Sequence, residues 1–286
     1  MTRQPVAARR AEQLLGRAVI ATAPVAGGDI ATATKLRLSD GSSALMKTLP
    51  HAPPDFFAAE ARGLRWLAEA EGGVPLPEVL AEAPDCLILR WVEPAKATAD
   101  AAADLGTALA ATHAARPASY GLDGDGYIGK LPLPNRTAPS WAEFYATRRV
   151  LPYLKLARDR GAATPDEAAA VEAVVRRLGD LVPEEGPARI HGDLWNGNVI
   201  WGHEGRAHLI DPAAHGGHRE TDLAMLSLFG LPHLQRLLDA YAEAQPLADG
   251  WQDRVGIHQI HPLLVHACLF GGGYAARAAT ICRGLA

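Results

Sequence analysis

The sequence predicts an α+β protein of two lobes, a small antiparallel-sheet lobe over residues 1–92 and a larger helical lobe over residues 93–286. Up to residue 90, short apolar runs alternate with turn residues, which is typical of strands and hairpins. After Glu93-Pro94, apolar residues recur at helical spacing instead. A chain of 286 residues is long enough for two such lobes, and a cleft between lobes is a common place for a ligand.

The composition excludes several classes of protein. With 28 basic and 32 acidic residues, the chain has a net charge of -4 and lacks the basic stripe expected of a nucleic-acid-binding protein. No run approaches the ~20 continuous apolar residues of a membrane helix, so we expect no membrane association. The three cysteines, Cys86, Cys268 and Cys282, are widely spaced and odd in number. This argues against a disulfide framework and for a reducing, cytoplasmic location.

Local patterns predict the elements of the first lobe. Residues 31–38 and 43–48 are strand-like runs joined by the turn Asp40-Gly41, which predicts a hairpin. Asp55, after two prolines, is the expected N-cap of a helix whose apolar residues recur up to Leu67. Residues 86–92 form an apolar run that predicts a buried strand.

The second lobe contains several helix signals and a few short strands. Thr98 is a candidate N-cap, residues 141–160 have helical periodicity, and Thr164-Pro165-Asp166-Glu167 is a capping box with proline at the first helical position. Short strands are expected around residues 190, 199–200 and 207–210, and helices from Thr221 onward.

The motif that indicates the chemistry lies between two of these short strands. His191, Asp193 and Asn198 have the spacing His-x-Asp-x-x-x-x-Asn, which in kinases places an aspartate at the acceptor hydroxyl and an asparagine on Mg²⁺. The chain has only 3 asparagines (135, 196 and 198), so chance explains this spacing poorly. The alternative is a polar turn held by Asp and Asn side chains.

Asp211 is the second acid of this predicted site. It ends the apolar run 207–210, where a kinase has its other metal-binding carboxylate. Alone, Asp211 is better explained as an N-cap or a turn residue before Pro212, but together with Asp193 and Asn198 it indicates Mg²⁺, which prefers oxygen ligands and nucleotide phosphates.

The first lobe is expected to bind the phosphates. Lys47 lies in the strand-like run 43–48 and Glu60 in the following helix, the arrangement by which kinases hold the α/β-phosphates. Gly27 and Gly28 precede Lys47 and are candidates to cover the phosphates, although a plain hairpin turn explains them equally well. The chain has no Gly-x-x-x-x-Gly-Lys-Ser/Thr sequence, which argues against a P-loop enzyme.

The acceptor is expected to be a small molecule or a single-residue hydroxyl. His191-Gly192-Asp193 replaces the His-Arg-Asp of protein kinases, and no Ala-Pro-Glu follows Asp211. His258, His261 and His266 lack zinc spacing, so core or surface roles are expected for most of them.

With these motifs in place, the chain resembles the fructosamine (ketosamine) kinases, within the aminoglycoside-phosphotransferase-like, protein-kinase-like fold. The most specific features are Trp195 after the His-Gly-Asp motif, the block Gly217-His218-Arg219-Glu220, and Phe270-Gly-Gly-Gly-Tyr274. The resemblance spans nearly the whole chain and includes residues 56–67, 127–135, 141–152, 191–198, 210–225 and 266–274.

The resemblance implies ATP-dependent phosphorylation of a ketosamine, a fructosamine or a ribulosamine, typically on the sugar 3-hydroxyl, which destabilises the adduct and frees the amine. It implies Asp193 as base, Asn198 and Asp211 on Mg²⁺, and Lys47 on the phosphates with Glu60 holding it. Adenine is expected at the backbone of Leu89, Arg90 and Trp91, although Arg90 stands where relatives often carry an acid. Trp195 and His266 are candidate substrate contacts, with core packing as the alternative. Arg219 and Asp222 are expected to brace the catalytic loop.

Two other functions stay open at this point. One is another small-molecule kinase of the same fold, acting on an aminoglycoside, a choline-like alcohol or a sugar; several carboxylates in the acceptor pocket would favour aminoglycosides. The other is a non-catalytic nucleotide-binding pseudokinase. The amine of the ketosamine can be a free metabolite or a protein lysine, and the sequence predicts no oligomeric state.

Overall fold

The computed structural model describes residues 6–26 and 30–285. Its N-terminal part is a five-stranded antiparallel sheet with strand order β1-β2-β3-β5-β4, flanked by two helices. The elements are α1 (Val6–Leu15), β1 (Val19–Val25), β2 (Thr32–Leu38), β3 (Ser43–Thr48), α2 (Phe56–Ala68), β4 (Val79–Ala83) and β5 (Cys86–Arg90). The predicted hairpin is the pair β2–β3. Because β3 is the central strand, Lys47 lies deep in this sheet.

Two sequence predictions in this part need correction. Asp55 precedes α2 but makes no side-chain cap bond, because its backbone is left-handed with φ 58°. The Phe56 N–H donates to the Pro53 carbonyl, so Asp55 occupies the third position of a turn that Pro54 favours at the second. The strand predicted over residues 86–92 ends earlier, at Arg90.

The C-terminal part is mainly helical and carries three two-stranded antiparallel sheets. Its strands are β6 (Gly126–Ile128), β7 (Leu131–Leu133), β8 (Ala188–Ile190), β9 (Val199–Trp201), β10 (Ala207–Leu209) and β11 (His215–Gly217), paired β6–β7, β8–β11 and β9–β10. Its helices are α3 (Ala99–Ala114), α4 (Trp141–Phe144), α5 (Leu151–Asp159), α6 (Pro165–Val175), α7 (Leu178–Leu181), α8 (Glu220–Phe229), α9 (Leu234–Ala244), α10 (Trp251–Phe270) and α11 (Tyr274–Gly284), with a π-helix at Tyr145–Val150 between α4 and α5.

The helix starts predicted from capping residues are confirmed. Thr98 accepts a hydrogen bond from the Ala101 N–H, and Thr164 and Glu167 form both bonds of the capping box. The α+β class with an antiparallel sheet is confirmed as well. The boundary between lobes at residues 92 and 93 stays a prediction. No helix in the described part of the chain is both long and apolar enough to cross a membrane.

The hydrophobic cores position the functional loops. One large cluster joins α4 to α7 with α10 and α11, and another joins α3, α8 and α9 to the β9–β10 pair. The second cluster includes Leu194, inside the predicted catalytic loop, and Leu209, shortly before Asp211. Since both side chains are fully buried, the two loops are anchored in the same core.

Candidate active site

The segment between β8 and β9 is a tight loop whose backbone is held by a buried acid. Asp222 accepts hydrogen bonds from the His191 N–H at 2.7 Å and the Gly192 N–H at 2.9 Å. Gly192 has φ +81°, and a Cβ there would lie 2.3 Å from the Ala213 carbonyl oxygen. The loop therefore packs directly on the chain that follows Asp211, and this explains the need for glycine. The predicted bracing role of Asp222 matches these contacts.

Asp193 and Asn198 lie together in this loop. The Asn198 Nδ2 donates to the Asp193 carbonyl at 2.8 Å and to its Oδ2 at 3.2 Å. Burial, followed by the negative charge of Asp211, raises the pKa of Asp193 to about 7. A carboxylate with that pKa is suited to accept a proton near neutral pH.

Asp211, Lys47 and Glu60 form a cluster of charges across the two parts of the chain. The Lys47 Nζ lies 2.7 Å from the nearest oxygen of Glu60 and 2.7 Å from the Asp211 Oδ1. Burial opposes the charge on Lys47, but the two carboxylates outweigh it and raise the pKa of the lysine. Asp211 has a left-handed backbone with φ 55°, which is unusual for a residue other than glycine and common at functional sites.

The residues predicted to hold a divalent cation fit one. Because the Asn198 Nδ2 is engaged by Asp193, its Oδ1 is the atom left for a ligand. The Asp211 Oδ1 accepts a hydrogen bond from Lys47, which leaves the Oδ2 of Asp211 for a ligand. These are hard oxygen donors, and the mutual repulsion of Asp193 and Asp211 would be relieved by a cation.

A cleft of about 640 Å³ joins these residues. One end is lined mainly by apolar residues, among them Ala33, Leu45, Trp91, Val92 and Ile200. Gly27 and Gly28, the predicted phosphate-covering residues, lie outside the described part of the chain.

Two of the three residues predicted for adenine do not reach this cleft. Only Trp91 lines it, while Leu89 is buried in the sheet and the Arg90 side chain pairs with Glu78 at 2.6 Å. The Arg90 N–H donates to the Glu78 carbonyl and the Trp91 N–H to the Ser43 carbonyl. Strand pairing uses these N–H groups, and the adenine contact at Leu89, Arg90 and Trp91 stays a prediction.

Aromatic rings surround the other end of the cleft. Trp195 and His266 both line it, and Phe229 lies between them with ring centroids 6.0 Å and 4.9 Å away. Phe270 and Tyr274 contact His266 on its other sides, at 5.6 Å and 5.2 Å. Phe229 and Phe270 are 37% and 57% exposed; sequence analysis named Phe270 only as part of a family motif and did not name Phe229. The available signal was that each phenylalanine ends a helix immediately before a glycine.

Arg219 does not contact the catalytic loop, contrary to the prediction. It forms a bidentate pair with Glu185, with both N–O distances 2.7 Å. Its position at the start of α8 directs it toward the loop before β8 instead. The pair ties these two segments together behind the site.

A buried group of His218, Glu220 and His258 has residue types found in metal centres. However, the His218 Nδ1 accepts the Glu220 N–H at 3.2 Å, so this ring nitrogen is already engaged. In addition, Arg254 holds both oxygens of Glu220, at 2.5 and 3.0 Å. The group is therefore a neutral-histidine and ion-pair cluster, as expected for most histidines of this region.

Comparisons with known proteins agree with this geometry. A family model described as fructosamine kinase matches residues 4–285. A candidate ketoamine kinase from Thermus thermophilus is 38% identical over 252 residues, which cover 88% of each chain. The crystal structure of a candidate fructosamine-3-kinase from Thermobifida fusca has a TM-score of 0.92 and 48% identity, with 97% of each chain covered. A choline kinase from Streptococcus pneumoniae, at 16% identity, a TM-score of 0.63 and 97% and 96% coverage, shares the fold.

Proposed function

The chain belongs to the fructosamine kinase family, whose members are ATP-dependent phosphotransferases acting on ketosamines, and from this premise we propose that it phosphorylates the sugar 3-hydroxyl of a fructosamine or ribulosamine. The amine is that of a glycated metabolite or a glycated protein lysine, and phosphorylation leads to its release. The observation that carries the proposal is the convergence of Asp193, Asn198 and Asp211 with the Lys47–Glu60 pair in one cleft.

Each residue has a distinct role in this reaction. Asp193 accepts a hydrogen bond from the acceptor hydroxyl and takes its proton as the phosphoryl group is transferred. Lys47, held by Glu60, binds the donor phosphates. Asn198 and Asp211 would hold Mg²⁺ through oxygen atoms, and the cation would supply charge neutralisation at the phosphates.

The apolar end of the cleft is where we place adenine, against Trp91 and Val92. The aromatic end is where we place the ketosamine, with Trp195 and His266 as its walls. Stacked aromatic faces suit both a sugar ring and the cationic secondary amine of a ketosamine. Because the donor is ATP and the three cysteines are free thiols, we place the reaction in the cytoplasm.

The charge distribution disfavours an aminoglycoside acceptor. Among the described lining residues, the acids are Glu60, Asp193 and Asp211; Glu60 and Asp211 pair with Lys47, and Asp193 is assigned to the acceptor hydroxyl. A polycationic aminoglycoside would need further carboxylates around the acceptor, and the described lining contains no other acid.

The test is phosphate transfer from Mg²⁺-ATP to ribulose-lysine, fructose-lysine, an aminoglycoside and choline, with the phosphorylated position determined by NMR. We expect turnover of a ketosamine at the 3-hydroxyl. Asp193→Asn should lose about 10²–10⁴ in kcat while still binding Mg²⁺-ATP, because only the proton acceptor is removed. The matched control is Asp180→Asn, the same change at an exposed position outside the cleft. Turnover of choline or the aminoglycoside alone would refute the ketosamine assignment, and ATP binding without any turnover would favour a pseudokinase.

A further inference from the structure

Arg149 is a fully buried cation that no ion pair stabilises. It is 1% exposed, and within residues 6–26 and 30–285 no carboxylate lies within salt-bridge distance of it. Its guanidinium stacks on the Phe144 ring at 4.6 Å. Desolvating a charge without a partner is costly, so a cation kept in such a place calls for an explanation other than stability.

One side of the guanidinium holds the base of the β6–β7 hairpin. Nη1 donates to the Pro134 carbonyl at 2.5 Å, and Nη2 donates to the Asn135 Oδ1 at 2.6 Å. Asn135 in turn fixes the start of the hairpin, since its N–H donates to the Asp125 Oδ1 at 2.8 Å. The hairpin lines the cleft through Gly126–Ile128 and Leu133, so Arg149 determines where that wall lies.

The other side of the guanidinium holds the chain after Asp211. Arg149 Nε donates to the His215 Nε2 at 3.4 Å, and the His215 Nδ1 donates to the Ala213 carbonyl at 2.7 Å. The same imidazole packs on the catalytic loop, because a Cβ at Gly192 would lie 3.0 Å from its Cε1. Neither Arg149 nor His215 is among the described residues that line the cleft. Any effect on the site is therefore indirect.

The local backbone is specialised to direct this side chain inward. Arg149 belongs to the π-helix Tyr145–Val150, whose wider turn keeps residues four apart on nearly the same face. Trp141, Tyr145 and Arg149, which are spaced by four, are all buried. His261 of α10 donates from Nδ1 to the Arg149 carbonyl at 2.9 Å, which anchors the widened turn. Single π-helical turns are rare and frequently occur at functional sites.

We propose that Arg149 is a positioning residue that couples the acceptor wall of the cleft to the metal-binding loop. One rigid, planar group bonds to both segments, so the hairpin and the Asp211 loop keep a fixed relative position. The proposal rests on the proposed function, which places the acceptor beside His266 and the cation on Asp211. The hairpin borders the acceptor end, because a Cβ at Gly129, between β6 and β7, would lie 3.1 Å from the Leu269 Cδ1, and Leu269 lines the cleft with His266. A buried hydrogen-bonded network of this kind favours one arrangement of the loops it joins.

The test compares Arg149→Lys, which keeps the charge but loses the planar fork, with Leu178→Ala, which removes a buried side chain from the same core away from the cleft. We measure acceptor KM, kcat and the Mg²⁺ concentration for half-maximal ATP binding, all well below the melting temperatures. Amide hydrogen exchange of residues 126–135 and 211–215 is followed without nucleotide. Arg149→Met is a second variant, and Arg149→Lys decides the question if the methionine variant does not fold.

For Arg149→Lys we expect acceptor KM and the Mg²⁺ requirement each to rise about tenfold or more, as is usual when a residue supporting metal ligands is changed. Exchange should accelerate in both segments together, while Leu178→Ala lowers the melting temperature without these changes. The proposal is overturned if Arg149→Lys keeps wild-type values, or if Leu178→Ala shifts them equally. If the wild type phosphorylates no ketosamine, the proposed function fails, but Mg²⁺-dependent ATP binding and amide exchange still decide the role of Arg149.

Discussion

Asp222 has no contact with the cleft, and yet the catalytic loop depends on it. Its two oxygens accept the N–H groups of His191 and Gly192, and the His113 ring lies 3.2 Å from Oδ2. Burial alone would raise the pKa of this acid, but the hydrogen bond from His113, the nearby His113 and His191 rings and the Gly192 N–H lower it below its ordinary value. The carboxylate therefore stays ionised, and its lone pairs accept the hydrogen bonds of the loop backbone.

Asp222→Asn keeps the shape of this side chain but turns one acceptor into a donor. The new amide NH₂ would face a backbone N–H, and we expect a loss of about 1–3 kcal/mol in the free energy of unfolding. Because the loop carries Asp193, kcat should fall by roughly 10²-fold as well. Urea denaturation and steady-state kinetics measure the two effects. The bracing role is refuted if the folded variant retains the wild-type kcat, as Asp180→Asn should.

At the scale of residues, sequence patterns predicted the members of the charged cluster but not their supports. Asp193 and Asn198 have a recognisable spacing, and Lys47 and Glu60 follow from the same type of site. The structure brings these residues and Asp211 into one cleft. Arg149 and Phe229 had no comparable signal, because their partners lie far away in the chain. Asp55 is the opposite case, because the sequence predicted it as an N-cap but the turn that proline favours prevents the cap bond.

At the scale of elements, the packing of α3 against α9 depends on one glycine. A Cβ at Gly106 would lie 2.2 Å from the Leu237 carbonyl oxygen and 3.1 Å from the Tyr241 nitrogen. Both atoms belong to the backbone of α9, so no side-chain rotation relieves the overlap. The two helices approach more closely than any larger residue permits.

Gly106→Ala should therefore destabilise the protein although alanine is the better helix former. Helix propensity favours alanine by about 1 kcal/mol, but separating the two helices should cost more, for a net loss of about 1–3 kcal/mol. Gly179→Ala is the control, because that glycine lies in α7 and a Cβ added to it would have no atom within 4 Å. We expect the control to be neutral or slightly stabilising in urea denaturation. Equal effects of the two substitutions would contradict the close approach.

Helix starts were predictable where a few adjacent residues determine them, as at Thr98 and Thr164. The π-helix at Tyr145–Val150 was predicted only as helical periodicity. Its extra residue is stabilised by contacts to α10, which is more than a hundred residues away in the chain. The residues adjacent to the π-helix therefore could not predict it. The β6–β7 hairpin escaped prediction for a related reason, since its strands have three residues each and depend on packing.

At the scale of the whole molecule, two halves of unlike composition were predictable because periodicity changes after Pro94. The way in which the halves meet was not, since it depends on the bonds of Lys47 to Asp211 and on Gly63 packing near Pro212 and Ala214. These contacts join the sheet and α2 to the loop after β10. They are long-range pairings that no pattern of adjacent residues encodes.

At the same scale, we expect the stability of the whole fold to depend on pH because of its buried histidines. Burial is the main cause that lowers the pKa of these side chains, in His218 and His261 to about 3. Burial therefore favours the uncharged ring of each in the folded protein, although an exposed histidine titrates near pH 6.5. The affected residues are His191, His215, His218, His258 and His261.

The free energy of unfolding should consequently fall as the pH is lowered below about 6.5. The unfolded chain binds protons on these histidines that the folded chain excludes, and each histidine contributes up to about 1.4 kcal/mol per pH unit. This stability is fully present above pH 6.5 and is lost progressively toward pH 3, where His218 and His261 titrate in the folded state. Proton uptake by Asp193 and Glu60, whose pKa values are raised to about 7 in the folded chain, offsets part of this decline. Urea denaturation at pH 7.5, 6.5 and 5.5 should show a steep decline, and His261→Gln should reduce the slope by about one proton. A midpoint that stays constant across this range would show that the buried rings are charged in the fold, and the neutral-histidine interpretation of the His218 cluster would then fail with it.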